Sequence, residues 1–568
     1  MRFRKWLPWF LAGLYYLAAA LAATWPLALN MSHSEIGWIG DNYYFTWVIM
    51  WVRRALFDLY CSPFHVAFVN YPEGASLACN EMTPVMTLMG LACSFFHNSV
   101  FGYNCAIVLS FVLSGLAMHA WIWRMTGSHA AALVSATIFA LSPCRISRLP
   151  GHLNLLGTQW LPLYFMGLTM MLDGRGVRKG PAVLCGVMLG LNALTAPYYL
   201  YMTAVMSLAL VVWHWLANDR RLMAEKWFWR CAVTAALAAL PLTIAGMWPY
   251  LRLAGEGALQ LRGIEEARRW CASPQDYFIP GSQRFLWGAY ITWPYRRLRT
   301  IENVQYLGLV TYCLVIVSLV MRRFMPGKQW VVPMLLAAGT AMILSFGPNL
   351  HWMWKPVRMD VPAFMREMLG RETVLLRLPG YYLFKYAPFY SAMRVSARYG
   401  VYVNLFMAAL AGMGCAALLE RFPRAARWAA PGLLAIVLID FLPESHFMVR
   451  FGCRPVDRWL AAQPAGAIAQ FPFHLSSQAE HVVYAWAADK PTIGGYFSSL
   501  PPQYKSVYPI LANYPGKEGD ALLKRLGVRY AVFDSRFYDD FLKTRSEVET
   551  LGWRFLKEIG GQYVFESP

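Results

Sequence analysis

The sequence predicts an α-helical polytopic membrane protein of about eleven transmembrane helices with a C-terminal extracytoplasmic α/β domain. Three observations predict it. Of 568 residues, 58% are hydrophobic and only 14% are charged, a membrane-protein composition. The apolar residues fall in separate segments, many near the roughly 20 residues that an α-helix needs to cross the hydrocarbon core. Basic residues gather in alternate loops, as cytoplasmic loops require.

The expected spans are 7–29, 101–122, 129–143, 155–172, 181–196, 199–217, 229–250, 304–321, 330–346, 397–419 and 428–444. Arg2, Arg4 and Lys5 precede the first and hold the N-terminus in the cytoplasm. That first stretch is too long for a signal-peptide core and lacks a small-residue cleavage site, so no cleavable signal peptide is expected. Arg124, then Arg175, Arg178 and Lys179, then Arg220, Arg221, Lys226 and Arg230, then Arg322, Arg323 and Lys328, then Arg421, Arg424 and Arg427 fall on the same side. The net charge of +20 is therefore largely loop charge, and no nucleic-acid partner is expected. Segment 82–97 would invert the following loops if it crossed, so it is expected as an interfacial helix on the outer surface.

This topology makes 1–445 the transmembrane domain, with outer loops 30–100, 144–154, 251–303 and 347–396, and 446–568 an extracytoplasmic domain. In that tail Ala467-Ile468-Ala469-Gln470-Phe471 reads as a strand. Asp520 to Leu526 reads as a helix ending at Gly527, Val528 to Phe533 as a strand, and Gly561 to Phe565 as a last strand. Gly494-Gly495 and Gly560-Gly561 are isolated turns rather than a G-x-G-x-x-G fingerprint. No P-loop, H-E-x-x-H or Ser-His-Asp order is present, so ATP hydrolysis is not expected. The 11 cysteines show neither C-x-x-C nor zinc spacing and read as packing residues. Cys61 and Cys79 share the first outer loop, where a disulfide is one option and two free thiols the other.

Asp41 is the leading candidate for chemistry. It sits in Gly40-Asp41-Asn42-Tyr43-Tyr44, just beyond the first span on the outer side. It reads either as a general base or ligand of a metal-bound phosphate, or as a turn residue and helix N-cap. The loop Cys144 to Asn154 holds Arg145, Arg148 and His152 against the charge rule. Arginine suits phosphate through its planar fork, and histidine relays protons near neutral pH. Lipid headgroup contact explains the same residues. Arg394 and Arg398 stand four apart at the outer end of a span, where one helical face would present both to a phosphate or pyrophosphate, or to lipid headgroups. Glu265, Glu266, Asp276 and Glu302 in loop 251–303 could bind sugar hydroxyls, or be plain solvated carboxylates. Tyr198 and Tyr199 read as interface-belt aromatics. Trp287, Tyr290, Trp293 and Tyr295 suit either stacking on a ligand or belt anchoring.

Gly40-Asp41, Gly151-His152-Leu153-Asn154, Arg394-Val395-Ser396-Ala397-Arg398 and Leu526-Gly527-Val528-Arg529-Tyr530 together resemble the GT-C superfamily of integral membrane glycosyltransferases. The second loop departs from the protein O-mannosyl and aminoarabinose transferases, which usually carry an acidic residue there. The chain is more similar to a bacterial branch of YfhO-type proteins. The resemblance implies a sugar donor linked to dolichyl or polyprenyl phosphate, and an extracytoplasmic acceptor that is a glycan, lipid or protein. It implies a bacterial inner-membrane location, Asp41 and His152 as catalytic residues, and direct attack that inverts the anomeric carbon. It also implies that Arg145, Arg148, Asn154, Glu265, Glu302, Arg394 and Arg398 bind substrate. A divalent cation, Mg or Mn, with Asp41 as a ligand is one option. Two other classes compete: a lipid or glycolipid flippase or transporter, which would carry charge near the midplane of its spans, and a non-catalytic membrane scaffold.

Overall fold

The helix Gly400–Arg421 sits at the centre of the molecule, and its composition explains why. It is rich in alanine and glycine from Ala408 to Ala417, and it is buried on every side along most of its length. Small residues let neighbouring backbones approach closely, which is how helices pack where lipid removes the hydrophobic incentive. The helices His129–Ala140, Leu309–Val320 and Val331–Ser345 pack against it. Two of its polar side chains reach partners: Asn404 donates to the Phe139 carbonyl at 3.4 Å, and Tyr402 shares a hydrogen bond with Thr203 at 2.8 Å.

The computed structural model describes residues 3–174, 176–259, 261–281, 284–290, 301–353 and 355–568. Arg2, Arg175, Trp293 and Tyr295, named above, lie outside the described residues. Among the described residues, eight helical segments are long and apolar enough to cross a membrane: Trp6–Ala23, Ser99–Thr126, His129–Ile146, Leu153–Leu172, Pro197–Ala217, Lys226–Gly255, Lys328–Ser345 and Ser396–Arg421. The chain is a membrane protein of this helical type. The expected count of eleven is not reached on that measure. Segments 181–196 and 304–321 form the shorter apolar helices Lys179–Thr195 and Leu309–Val320, of 17 and 12 residues. At 1.5 Å per residue these cover about 26 and 18 Å, less than the ~30 Å hydrocarbon core. Segment 428–444 forms Pro423–Phe441, which carries Arg424 and Arg427 at one end and Asp440 at the other. Segment 82–97 folds as Pro84–Ser94, an 11-residue helix too short to cross.

The longest helix, Lys226–Gly255, leans on Lys179–Thr195 and leaves most of its surface uncovered. Gly186 makes that contact possible: a Cβ there would lie 2.2 Å from the Ala235 carbonyl oxygen.

The C-terminal part contains a four-stranded sheet with Ala467–Phe471 at one edge, then Val528–Asp534, Gln562–Glu566 and Arg554–Ile559. The first pair is parallel and the others are antiparallel. Phe471, Phe533 and Phe565 pack on one face of the sheet, Ile468, Val532 and Val564 on the other, as strand alternation requires. Gly527 ends the preceding helix Lys517–Arg525 with φ +68°, a left-handed position that suits glycine. The strand Arg554–Ile559 and the helices Gln478–Ala487, Pro502–Leu511 and Phe541–Thr550 were not foreseen.

The first long loop ties the two parts together. Its strand Ser34–Ile36 pairs antiparallel with Met448–Arg450. The helix Asp41–Phe57 packs between Ser99–Thr126 and Gln478–Ala487. Cys61 and Cys79 are free thiols, the first exposed and the second buried, so the disulfide option is not realised.

Candidate functional site

Asp41 is the first residue of the helix Asp41–Phe57. Unbonded backbone amides at a helix start favour a negative charge there. The second loop reaches it through two glycines. Gly37, at φ +97°, would place a Cβ 2.6 Å from Pro150 Cβ. Gly151, at φ +132°, would place one 3.2 Å from Asp41 Cβ and Asn42 N. Only residues without a Cβ let these backbones meet. The outcome is that His152 Nε2 lies 3.9 Å from Asp41 Oδ2.

The other carboxylate oxygen, Asp41 Oδ1, accepts a hydrogen bond of 2.5 Å from the Tyr496 hydroxyl. Tyr496 comes from the C-terminal part, on a segment pinned to the first loop. Ser498 and Ser499 donate backbone N–H groups to the Cys79 carbonyl, and Asn80 donates to the Tyr496 carbonyl. Burial raises the Asp41 carboxyl above the ordinary aspartate value, against the lowering effect of the Tyr496 hydrogen bond; Glu81 raises it further, and Arg398 and Arg394 lower it. Burial pushes His152 down to about 3, Glu302 opposes that, and Arg148, Arg398 and Arg394 add to it. The imidazole is therefore neutral at physiological pH. Its Nδ1 is buried with no hydrogen-bond partner among the described residues.

Behind this pair lies an ionic network. Arg148 Nη1 is 2.5 Å from Glu302 Oε2, and Arg398 Nη2 is 3.3 Å from Glu302 Oε1. Arg398 Nη1 is 3.6 Å from Glu81 Oε1, and the Arg398 guanidinium lies 4.6 Å from the Tyr198 ring centre. Tyr198 donates to Glu81 at 3.4 Å and accepts from Asn154 at 2.8 Å. Burial alone would raise Glu302, but Arg148 and Arg398 overcome it and hold the carboxyl down at about 2. Farther out, Arg394 Nε is 3.8 Å from Glu266, which Arg262 also approaches at 3.7 Å.

The fold thus gathers Asp41, Arg148, His152, Asn154, Glu302, Arg394 and Arg398 from four distant stretches of sequence. It does not bring Arg145 or Glu265 to the cluster. The Arg145 guanidinium is buried over the Phe111 ring at 4.4 Å and donates to the carbonyls of Ala140, Ser110 and Leu156. Glu265 is exposed and pairs with Arg268 on its own helix, Ile264–Arg269, while Glu266 is the member that meets arginine from the cluster. Arg394 and Arg398 do not share an α-helical face. Residues Ser396–Tyr399 form a single 3-10 turn, the α-helix begins at Gly400, and Arg394 precedes both. Tyr198 and Tyr199 are buried rather than placed in an interface belt. Asp276 accepts from the Ser273 backbone N–H, Trp287 donates to Asp440, and Tyr290 is exposed.

Glu81 and Tyr496 were missed. Neither stands in a motif, and the one signal was Glu81 lying beside Asn80 in a loop already under suspicion.

Among the described residues, no three His, Cys, Asp or Glu side chains assemble as a metal-ligand set. Glu81 is engaged by Arg398 and Tyr198, and Asp41 by Tyr496. Arg398 supplies positive charge where a cation would compete with it.

Residues 16–441 match the family described as a domain of unknown function, DUF6311, and the chain belongs to that family. No curated protein matches the sequence. Among solved structures it is similar to the oligosaccharyltransferase of Archaeoglobus fulgidus, with 11% identity, a TM-score of 0.51, and 98% of this chain and 72% of that chain covered. It is also similar to the arabinofuranosyltransferase AftD from Mycobacteria, with 13% identity, a TM-score of 0.53, and 99% of this chain and 41% of that chain covered. These likenesses show a fold shared with those two enzymes.

Proposed function

We propose that this member of the DUF6311 family is a membrane glycosyltransferase that moves a sugar from a polyprenyl-phosphate donor to an acceptor on the outer face of the membrane. The observation that carries the reading is the pairing, on a fold shared with two glycosyltransferases, of a carboxylate of raised pKa with a buried arginine network.

The chemistry follows from the geometry. Asp41 accepts the proton of an acceptor hydroxyl as its oxygen attacks the anomeric carbon. A raised pKa makes the ionised carboxylate a stronger base. Neutral His152, beside Asp41, orients the hydroxyl through a hydrogen bond rather than carrying a full proton at neutral pH. The bond to the donor phosphate breaks on the opposite side, so a single displacement inverts the carbon. Negative charge grows on the departing phosphate, and Arg398 and Arg394 stabilise it where it develops. Arg398 Nε is buried without a hydrogen-bond partner among the described residues, a donor left for that oxyanion. Arg148 and Glu302 hold Arg398 in place, and Asn154 fixes the Tyr198 ring beneath it.

On this reading the basic N-terminus lies in the cytoplasm, and the C-terminal part, which brings Tyr496 to Asp41, lies on the outer side. The test is transfer by purified protein in vesicles supplied with radiolabelled polyprenyl-phosphate sugar. Asp41→Asn is expected to fold, bind donor and lose transfer. Full turnover by that variant would remove Asp41 from the role.

A further inference from the structure

A second concavity, of about 930 Å³, lies beside the charged cluster and is not used by the steps above. One wall is a ridge of the long helix Lys226–Gly255: Ile244, Trp248 and Arg252 stand four apart, with Glu256 one turn on. Ile244 and Trp248 are more than half exposed on a helix apolar enough to span. The facing wall is the hairpin of His65–Val66 and Ala75–Ser76, whose connecting turn carries Glu73. Pro501 and Pro502 of the C-terminal part close one end.

Two features of this cavity select its occupant. It changes from apolar at the span to polar at the loop, which suits an amphiphile at the membrane edge. Its charges exclude a phosphate headgroup: Glu73 and Glu256 stand against Arg252, and Arg252 is already paired with Glu256 at 3.1 Å. Carboxylates accept hydrogen bonds from hydroxyls, and the Trp248 face offers an apolar platform for a sugar ring. The cavity also adjoins the site. Cys79 lines it, and Glu81, two residues on, touches Arg398 and Tyr198. Met82 donates its N–H to the Tyr250 hydroxyl at 2.9 Å, fixing this dividing segment to the long helix.

We infer that this cavity receives the acceptor, and that the acceptor is a membrane-embedded glycolipid with an uncharged sugar headgroup. Its chain runs along Ile244 and Trp248, and its hydroxyls meet Glu73 and Glu256. The inference rests on the transferase reading, because it names the acceptor for that reaction.

The test uses the full-length protein in phosphatidylcholine vesicles. These carry either a photoactivatable, alkyne-tagged monohexosyl diacylglycerol or a phosphatidylglycerol with the same tag. The hexosyl lipid is expected to label peptides covering 62–79 and 244–256 several-fold more than phosphatidylglycerol. Trp248→Ala combined with Glu73→Gln should abolish that preference, and Asp41→Asn should preserve it. Equal labelling by the two lipids, or stronger labelling by phosphatidylglycerol, would overturn the inference. Donor transfer is measured on the same vesicles to separate the two readings. Preference without transfer would sink the transferase and leave a glycolipid site, whereas transfer without preference would sink the glycolipid site alone.

Discussion

Asp41 and Glu302 feel the same arginine, Arg398, yet their surroundings push them in opposite directions. Glu302 is buried in direct contact with Arg148 and Arg398 and is held at about 2, ionised at any physiological pH. Asp41 meets a tyrosine hydroxyl and a neutral imidazole at close range, and its carboxyl is raised. Direct guanidinium contact outweighs desolvation, while a neutral hydrogen bond offsets only part of it. The difference divides the labour. Glu302 is a fixed counter-charge held between arginines, and in the proposed reaction Asp41 is the carboxylate that exchanges a proton. Neighbouring acids whose environments separate their pKa values are the usual sign of such a division.

Neutralising each carboxylate in turn breaks the comparison most sharply. Asp41→Asn should cut turnover by about 10²–10⁴, the usual worth of a general base, with little change in the thermal midpoint. Glu302→Gln should do the reverse first. It leaves Arg148 and Arg398 buried without their counter-charge, so a loss of about 3–5 kcal/mol in unfolding free energy is expected. A melt of Glu302→Gln matching the parent would show that the network does not hold the fold. Because Glu302 is depressed, its stabilising contribution is present above the ordinary glutamate pKa and is lost as pH falls through about 2.

Tyr496→Phe is a smaller perturbation, removing one hydrogen bond worth about 1 kcal/mol. That bond favours ionised Asp41, so its loss should raise the Asp41 pKa further and shift the acid limb of transfer to higher pH. The smallest effect is expected at Glu265→Gln, within about 0.5 kcal/mol in stability and without change in turnover, since the side chain is exposed and away from the cluster.

The membrane class was legible because hydropathy and loop charge are local properties of the sequence. Asp41 was legible for the same reason, as a carboxylate just past a span. Arg145 and Arg148 looked alike in one short loop, and only packing separates them: the fold spends Arg145 on three carbonyls and turns Arg148 to Glu302. Arg394 and Arg398 do reach the same cluster, but the helical spacing that suggested it is absent. Tyr496 lies 455 residues from Asp41, and such a contact leaves no trace in spacing or composition. The span count was less legible, because apolar composition marks the segments but not their helical lengths, which are 17 and 12 residues for Lys179–Thr195 and Leu309–Val320.

The most direct measurement is the pH dependence of kcat/KM for transfer, taken on the parent and on Tyr496→Phe. His152 stays neutral down to about 3, so an acid limb above that pH belongs to Asp41. Activity should rise with pH as Asp41 ionises, with a midpoint above the ordinary aspartate range, and the limb should move to higher pH in Tyr496→Phe. A limb that stays in place, or moves to lower pH, would contradict Asp41 as the base tuned by Tyr496.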